Sequence, residues 1–225
     1  MSRPTPPEPG ALSRRQQRRH ELANTSLRGG LKPSHPVGAA CWVAVMLAVL
    51  WAIAIVNALL DHRLLRFGIK PRQVDGLAGI VISPFLHADV GQLAANTVPF
   101  VVLGWLMLVS GVRTLVLLSV AVALVAGAVD WTLGPANAVI LGVSGVLFGW
   151  FGYLLARAWY SRNVKFVAVA ILVIAIFSSM LTGLLPHVNS HVFWGGHLAA
   201  LVVGIAIAAL LHRRPAAKKP AAATG

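Results

Sequence analysis

Acidic residues are nearly missing from this chain, whose 225 residues hold six Asp and Glu against nineteen Lys and Arg. Charge of either sign is scarce, at 11% of residues, where ordinary soluble domains carry about 25%. Together with 57% hydrophobic residues, that scarcity excludes an ordinary soluble domain and reads as a membrane protein. The formal net charge of +13 invites a nucleic-acid partner. The cations, however, sit in tails and short loops between long apolar segments, where they orient a membrane protein, and no nucleic acid is expected. Cysteine is reduced to Cys41, which excludes a disulfide framework and a zinc site. Paired intramembrane charges and repeated halves are also missing, which argues against a small transporter or channel. The reading requires no cofactor and no metal.

What is present is a series of apolar segments between two polar tails. Residues 1–36 combine Pro4, Pro6, Pro7, Pro9, Pro33 and Pro36 with the basic cluster Arg14, Arg15, Arg18 and Arg19. They read as a disordered basic cytoplasmic tail, and residues 212–225 as a second one. The segment from Val37 to Leu60 is longer than a signal-peptide core and lacks a small-residue cleavage site, which predicts an uncleaved first membrane helix. Five more apolar segments lie near 91–110, 114–133, 138–157, 165–185 and 192–211, each close to the roughly 20 residues that span a bilayer. The expected fold is all-α, a polytopic six-transmembrane-helix bundle over residues 37–211. Six spans put both termini on one side. With the tails in the cytoplasm, Arg63, Arg66, Lys70 and Arg72 are the cations left outside, as the positive-inside rule requires, so a multi-pass plasma-membrane protein is expected. Residues 61–88 then form one long external loop between otherwise tight turns, a contrast that points to function. It is too short of apolar length to span. Lying in the interface, dipping into the protein, and forming an ordinary surface loop all remain open for it.

Polar residues inside membrane spans are costly, so the few present are functional candidates. They are Gln92 and Asn96 in the second span, Asp130 in the third, Ser144 in the fourth, Ser178, Ser179 and Thr182 in the fifth, and His197 in the sixth. Ser144 lies in a run where Gly142, Gly145, Gly149 and Gly152 form one small-residue stripe, and Gly196, Ala200 and Gly204 form a second beside His197. Such ridges let helix backbones approach closely. A packing groove explains the glycines alone. Pairing the two ridges would also bring Ser144 and His197 together at similar depth, where a neutral histidine can take the serine proton and make a nucleophile. Asp130, near the external end of its span, is expected to stay solvated or to cap neighbouring amides. No carboxylate is an obvious third member of a triad, so a dyad is the working expectation, its histidine ring oriented by packing against Phe148.

The motifs "GIKPRQVDGLAGIVISPFLH" leading to Asn96, "GVSGVLFGWFGYLL" and "GGHLAALVVG" resemble, in this order, the rhomboid family of intramembrane serine proteases across nearly all of residues 37–211. The resemblance implies a six-helix rhomboid-like core, an active site opening to the extracytoplasmic side through a water-filled cavity, and a membrane-embedded first loop. It makes Ser144 the nucleophile and His197 the base. The family's second span carries two histidines five residues apart and then an asparagine, the last two holding the oxyanion; those positions here are His87, Gln92 and Asn96. Gln92 is a departure. Its amide donates without titrating and can replace the histidine, but Asp89 and Gln92 also read as the N-cap and N3 of a capping box. Phe148 stands where many relatives have tyrosine, keeping the ring and losing the hydroxyl. The implied function is an intramembrane serine endopeptidase whose partners are transmembrane protein substrates and the lipid bilayer, with oligomeric state open. The alternative is a catalytically inactive rhomboid-like protein that binds membrane helices.

Overall fold

The computed structural model describes residues 36–161, 163–178, 184–185 and 193–212. Apart from Pro36 and His212, the two expected tails lie outside the described residues, as do Ser179 and Thr182. Among the described residues the protein is all-helical, as the sequence predicts, with a single isolated bridge between Ile69 and Ile140 in place of a sheet. The principal helices are α1 (Pro36–Leu59), α2 (Val90–Ser110), α3 (Val112–Leu133), α4 (Ser144–Ser161), α5 (Val164–Phe177) and α6 (Trp194–His212). Among the described residues, α1, α2, α3 and α6 are long and apolar enough to cross a bilayer.

Local chemistry sets several of the helix starts. Pro36 opens α1 at a first-turn position, where its missing N–H is not needed. Asp89 caps α2 by accepting from Gln92 N, and Asn163 caps α5 by accepting from Lys165 N. These bonds satisfy N–H groups that the helix itself leaves unpaired.

Helix α4 is central, with eleven of its eighteen residues buried, whereas α5 buries only Ala170, Val173 and Phe177. The closest neighbour of α4 is α6. A Cβ added at Gly204 would meet the Gly149 carbonyl oxygen at 2.1 Å, so these two helices touch backbone to backbone, as small-residue interfaces in membranes allow. The expected stripe needs correction at its other end. Gly145 faces open space and Gly142 lies before the helix, so Gly149 and the residues below it carry the contact.

The expected fourth span, 138–157, is displaced: the helix begins only at Ser144. Residues 138–143 are apolar, yet their backbone bonds to the long loop. Ile140 exchanges both backbone bonds with Ile69, at 2.9 Å each, and Gly142 N donates to Ser83 O at 2.9 Å. Gly142 has φ of +117°, a conformation that disfavours any side chain. The loop itself contains only short helical turns (Arg63–Phe67, Val74–Gly76, Gly79–Ile82 and Ser83–Phe85) and packs against α3. Arg72 fixes it there: its backbone N donates to Trp131 O at 2.8 Å, and its guanidinium to Thr132 O and Gly134 O at 3.0 and 2.8 Å. Donors at a helix C-terminus satisfy the last carbonyls.

Candidate active site

The contact of α4 with α6 brings their first turns side by side. Ser144, the first residue of α4, and His197, in the first turn of α6, meet with Oγ and Nε2 2.9 Å apart. Phe148, one turn below Ser144, stacks on the imidazole with ring centroids 4.4 Å apart and planes 25° from parallel. A flat apolar ring on one face of an imidazole fixes its rotation while leaving its edge nitrogens available.

Both side chains open into a cavity of about 760 Å³ whose wall also includes Gln92, Asn96 and Asp130. Asn96 Nδ2 is buried without a hydrogen-bond partner. A buried donor of this kind is costly unless something later accepts from it. More donors come from the start of α4. The first intrahelical bond there is Leu147 N to Val143 O, which leaves the N–H groups of Ser144 and Gly145 without a helical acceptor, at the positive end of the helix. The site therefore holds a hydroxyl against a proton acceptor, with hydrogen-bond donors nearby.

Gln92 has a more occupied geometry. Its Oε1 accepts from Ala88 N at 2.8 Å and its Nε2 donates to Leu141 O at 3.2 Å, while its backbone N–H goes to Asp89 Oδ1 at 2.8 Å. The helix-start pairing of Asp89 with Gln92 is formed, and the side chain also ties α2 to the segment that leads into Ser144. One amide hydrogen of Gln92 remains for the cavity.

His87, the match to the family's first histidine, is not part of the cavity wall. It is 3% exposed and lies beneath the loop before α4, its Nε2 accepting from Val143 N at 3.5 Å and its Nδ1 unpartnered. Burial holds this imidazole down at about 4, so the ring is neutral at physiological pH. His87 lies at the end of the long loop, where its bond to Val143 N joins that loop to the segment before α4.

Asp130, expected to stay solvated or to cap neighbouring amides, lies in the cavity wall. It keeps part of its exposure, as a solvated carboxylate would, but its Oδ1 is buried and has no partner. Sequence reasoning also missed the backbone groups of Ile69, Ser83 and Leu141 that hold the Ser144 approach in place, because main-chain partners leave no mark on residue type. Among the described residues, no group of His, Cys, Asp and Glu side chains could hold a metal ion.

A family model described as the Rhomboid domain matches residues 74–214. The chain is 31% identical over 176 residues to the uncharacterized protein Rv1337 of Mycobacterium tuberculosis and to the uncharacterized protein Mb1372 of Mycobacterium bovis, covering 75% of this chain and 73% of each relative. It is 30% identical to the uncharacterized protein ML1171 of Mycobacterium leprae over 75% of this chain and 70% of that one. With the helical architecture described above, these matches establish that the chain is a membrane protein of the rhomboid family.

Proposed function

We propose that the protein is an intramembrane serine endopeptidase that cleaves peptide bonds in or near the transmembrane segments of membrane proteins through a Ser144–His197 dyad. The observation that carries this reading is the 2.9 Å approach of Ser144 Oγ to His197 Nε2, with Phe148 stacked on the imidazole, inside a cavity. Ser144 gives its proton to His197 Nε2 and attacks the scissile carbonyl. The oxyanion is held by the Ser144 backbone N–H, the Asn96 side chain and the remaining Gln92 amide hydrogen. His197 then protonates the leaving amine, and water, deprotonated by the same histidine, releases the acyl-enzyme.

A continuous substrate helix hides its carbonyls in internal hydrogen bonds, so it must unwind locally before Ser144 can reach one. Substrates with helix-weakening residues beside a small residue at the cut therefore fit best. In this reading the protein is a six-span component of the plasma membrane with both termini cytoplasmic, supported by the distribution of cations along the sequence.

Purified protein in detergent is expected to cleave a single-span membrane substrate, and Ser144→Ala to lose that activity while keeping its unfolding midpoint. Cleavage persisting in the Ala variant would sink the assignment. Cleavage should also decline on acidification as His197 becomes charged. The inactive helix-binding alternative draws support from the occupied amide of Gln92. A fluorophosphonate probe separates the two, since covalent labelling at Ser144 requires an activated hydroxyl.

A further inference from the structure

One carboxylate in the cavity wall has no part in the dyad. Asp130 lies in the last turn of α3, and its Oδ1 is buried with no hydrogen-bond partner while the residue keeps some exposure. A Cβ added at Gly196 would meet Asp130 Oδ1 at 2.0 Å and Oδ2 at 2.7 Å. Both oxygens therefore rest against the backbone of the residue just before His197, in a space that any side chain at position 196 would fill.

His197 is the fourth residue of α6, in the first turn, where the aligned peptide dipoles are equivalent to a partial positive charge. When Ser144 Oγ–H breaks and the proton binds Nε2, a full positive charge appears on the ring beside that positive helix end. The surrounding cavity is walled largely by apolar side chains, where unscreened charge interacts strongly. We infer that Asp130 is a positioning residue for this transfer, its carboxylate offsetting both the helix terminus and the imidazolium as it forms. The proton stays on Nε2, and Asp130 takes no proton and makes no bond to the reacting atoms.

Among the described residues lining the cavity, no other charge competes for this role. Helix α2 presents the uncharged amides of Gln92 and Asn96, α4 presents Ser144 and Phe148, and α5 presents Ile176 and Phe177. Asp89 also reaches the cavity, but its carboxylate already accepts the Gln92 N–H. The distinction between Asp89 and Asp130 is that one carboxylate is engaged in capping and the other is left for the histidine's helix.

The inference rests on the protease reading, and its test keeps the two separable. Asp130→Asn preserves shape and removes charge; Asp130→Ser removes charge and leaves room. Both are measured in detergent for kcat, KM, fluorophosphonate labelling rate and unfolding midpoint, with Ser144→Ala as control. The expected result is a kcat about tenfold lower and slower labelling in both variants, the size of effect a charge at a helix terminus can exert in partly buried geometry. KM is expected to stay unchanged, and the midpoint to stay level or rise, because an unpaired buried carboxylate is itself costly. An unchanged kcat overturns the inference. So does a loss of activity that tracks a lowered midpoint in both variants, or failure of both to fold, since either makes the carboxylate structural. Cleavage by Ser144→Ala overturns the protease reading instead, whatever the Asp130 variants do.

Discussion

At the Ser144 end of α4, hydrogen-bonding groups are left over: Asn96 Nδ2, His87 Nδ1 and Asp130 Oδ1 are all buried without partners. At the Arg157 end of the same helix, polar groups are engaged with one another. Tyr153 and His212 share a hydrogen bond of 2.9 Å, and Arg157 donates to Ser110 and lies 4.0 Å over the Phe166 ring. That cluster ties α2, α4, α5 and α6 together, leaving Arg157 Nε as its one buried atom without a partner. The first end opens on the cavity of Ser144 and His197, and at the second the polar side chains mostly bond one another. The cavity gives Asn96 and Asp130 room for an incoming molecule to complete their bonding, whereas at the Arg157 end the protein largely completes it for itself.

On the protease reading, substitutions at the two ends should therefore separate catalysis from stability. The largest effect belongs to Asn96→Ala, which removes an unpartnered donor of a residue in the cavity wall. Its kcat should fall by two to three orders of magnitude, about 3 kcal/mol of transition-state stabilisation, with the unfolding midpoint unchanged. At the other end Arg157→Met should lower unfolding free energy by about 2 kcal/mol, as expected for losing a hydrogen bond to a charged donor. Activity measured well below the midpoint should survive. Tyr153→Phe is a milder version, costing about 1 kcal/mol of stability and nothing in kcat. Loss of kcat at full stability in either of these two variants would dissolve the distinction between the ends.

The smallest effect at neutral pH, growing on acidification, concerns His87. Its folded-state value of about 4 lies below the ordinary 6.5, so the unfolded chain takes up the proton first. Its contribution to stability is present in full above 6.5 and is lost progressively as pH falls from there toward 4. His87→Gln should flatten the pH dependence of the unfolding midpoint between pH 7 and pH 5 relative to the wild type. Parallel curves would mean that the imidazole is not held neutral beneath the Ser144 approach.

Much of this architecture is legible in residue types. The apolar runs locate α1, α2, α3 and α6 to within two or three residues, because hydropathy reports affinity for a lipid or protein interior. The same measure misplaces the start of α4 by six residues. Residues 138–143 are as apolar as a span, but Gly142 and Ile140 bond to the external loop instead of to a helix, and hydropathy cannot distinguish those backbone partners. The convergence of Ser144, His197 and Phe148 is readable because glycine spacing constrains which helix faces meet. The orientations of His87 and Asp130 are not, since each depends on how a loop or a helix end docks rather than on its neighbours in sequence.

The backbone contact of Gly204 with Gly149 acts on a site it does not touch. It lies one to two turns deeper than the hydroxyl and imidazole, and with no side chain between the two main chains it fixes the relative height of the two helices. On the protease reading, inactivating substitutions can therefore arise far from the chemistry, leaving every reacting group present and merely out of register.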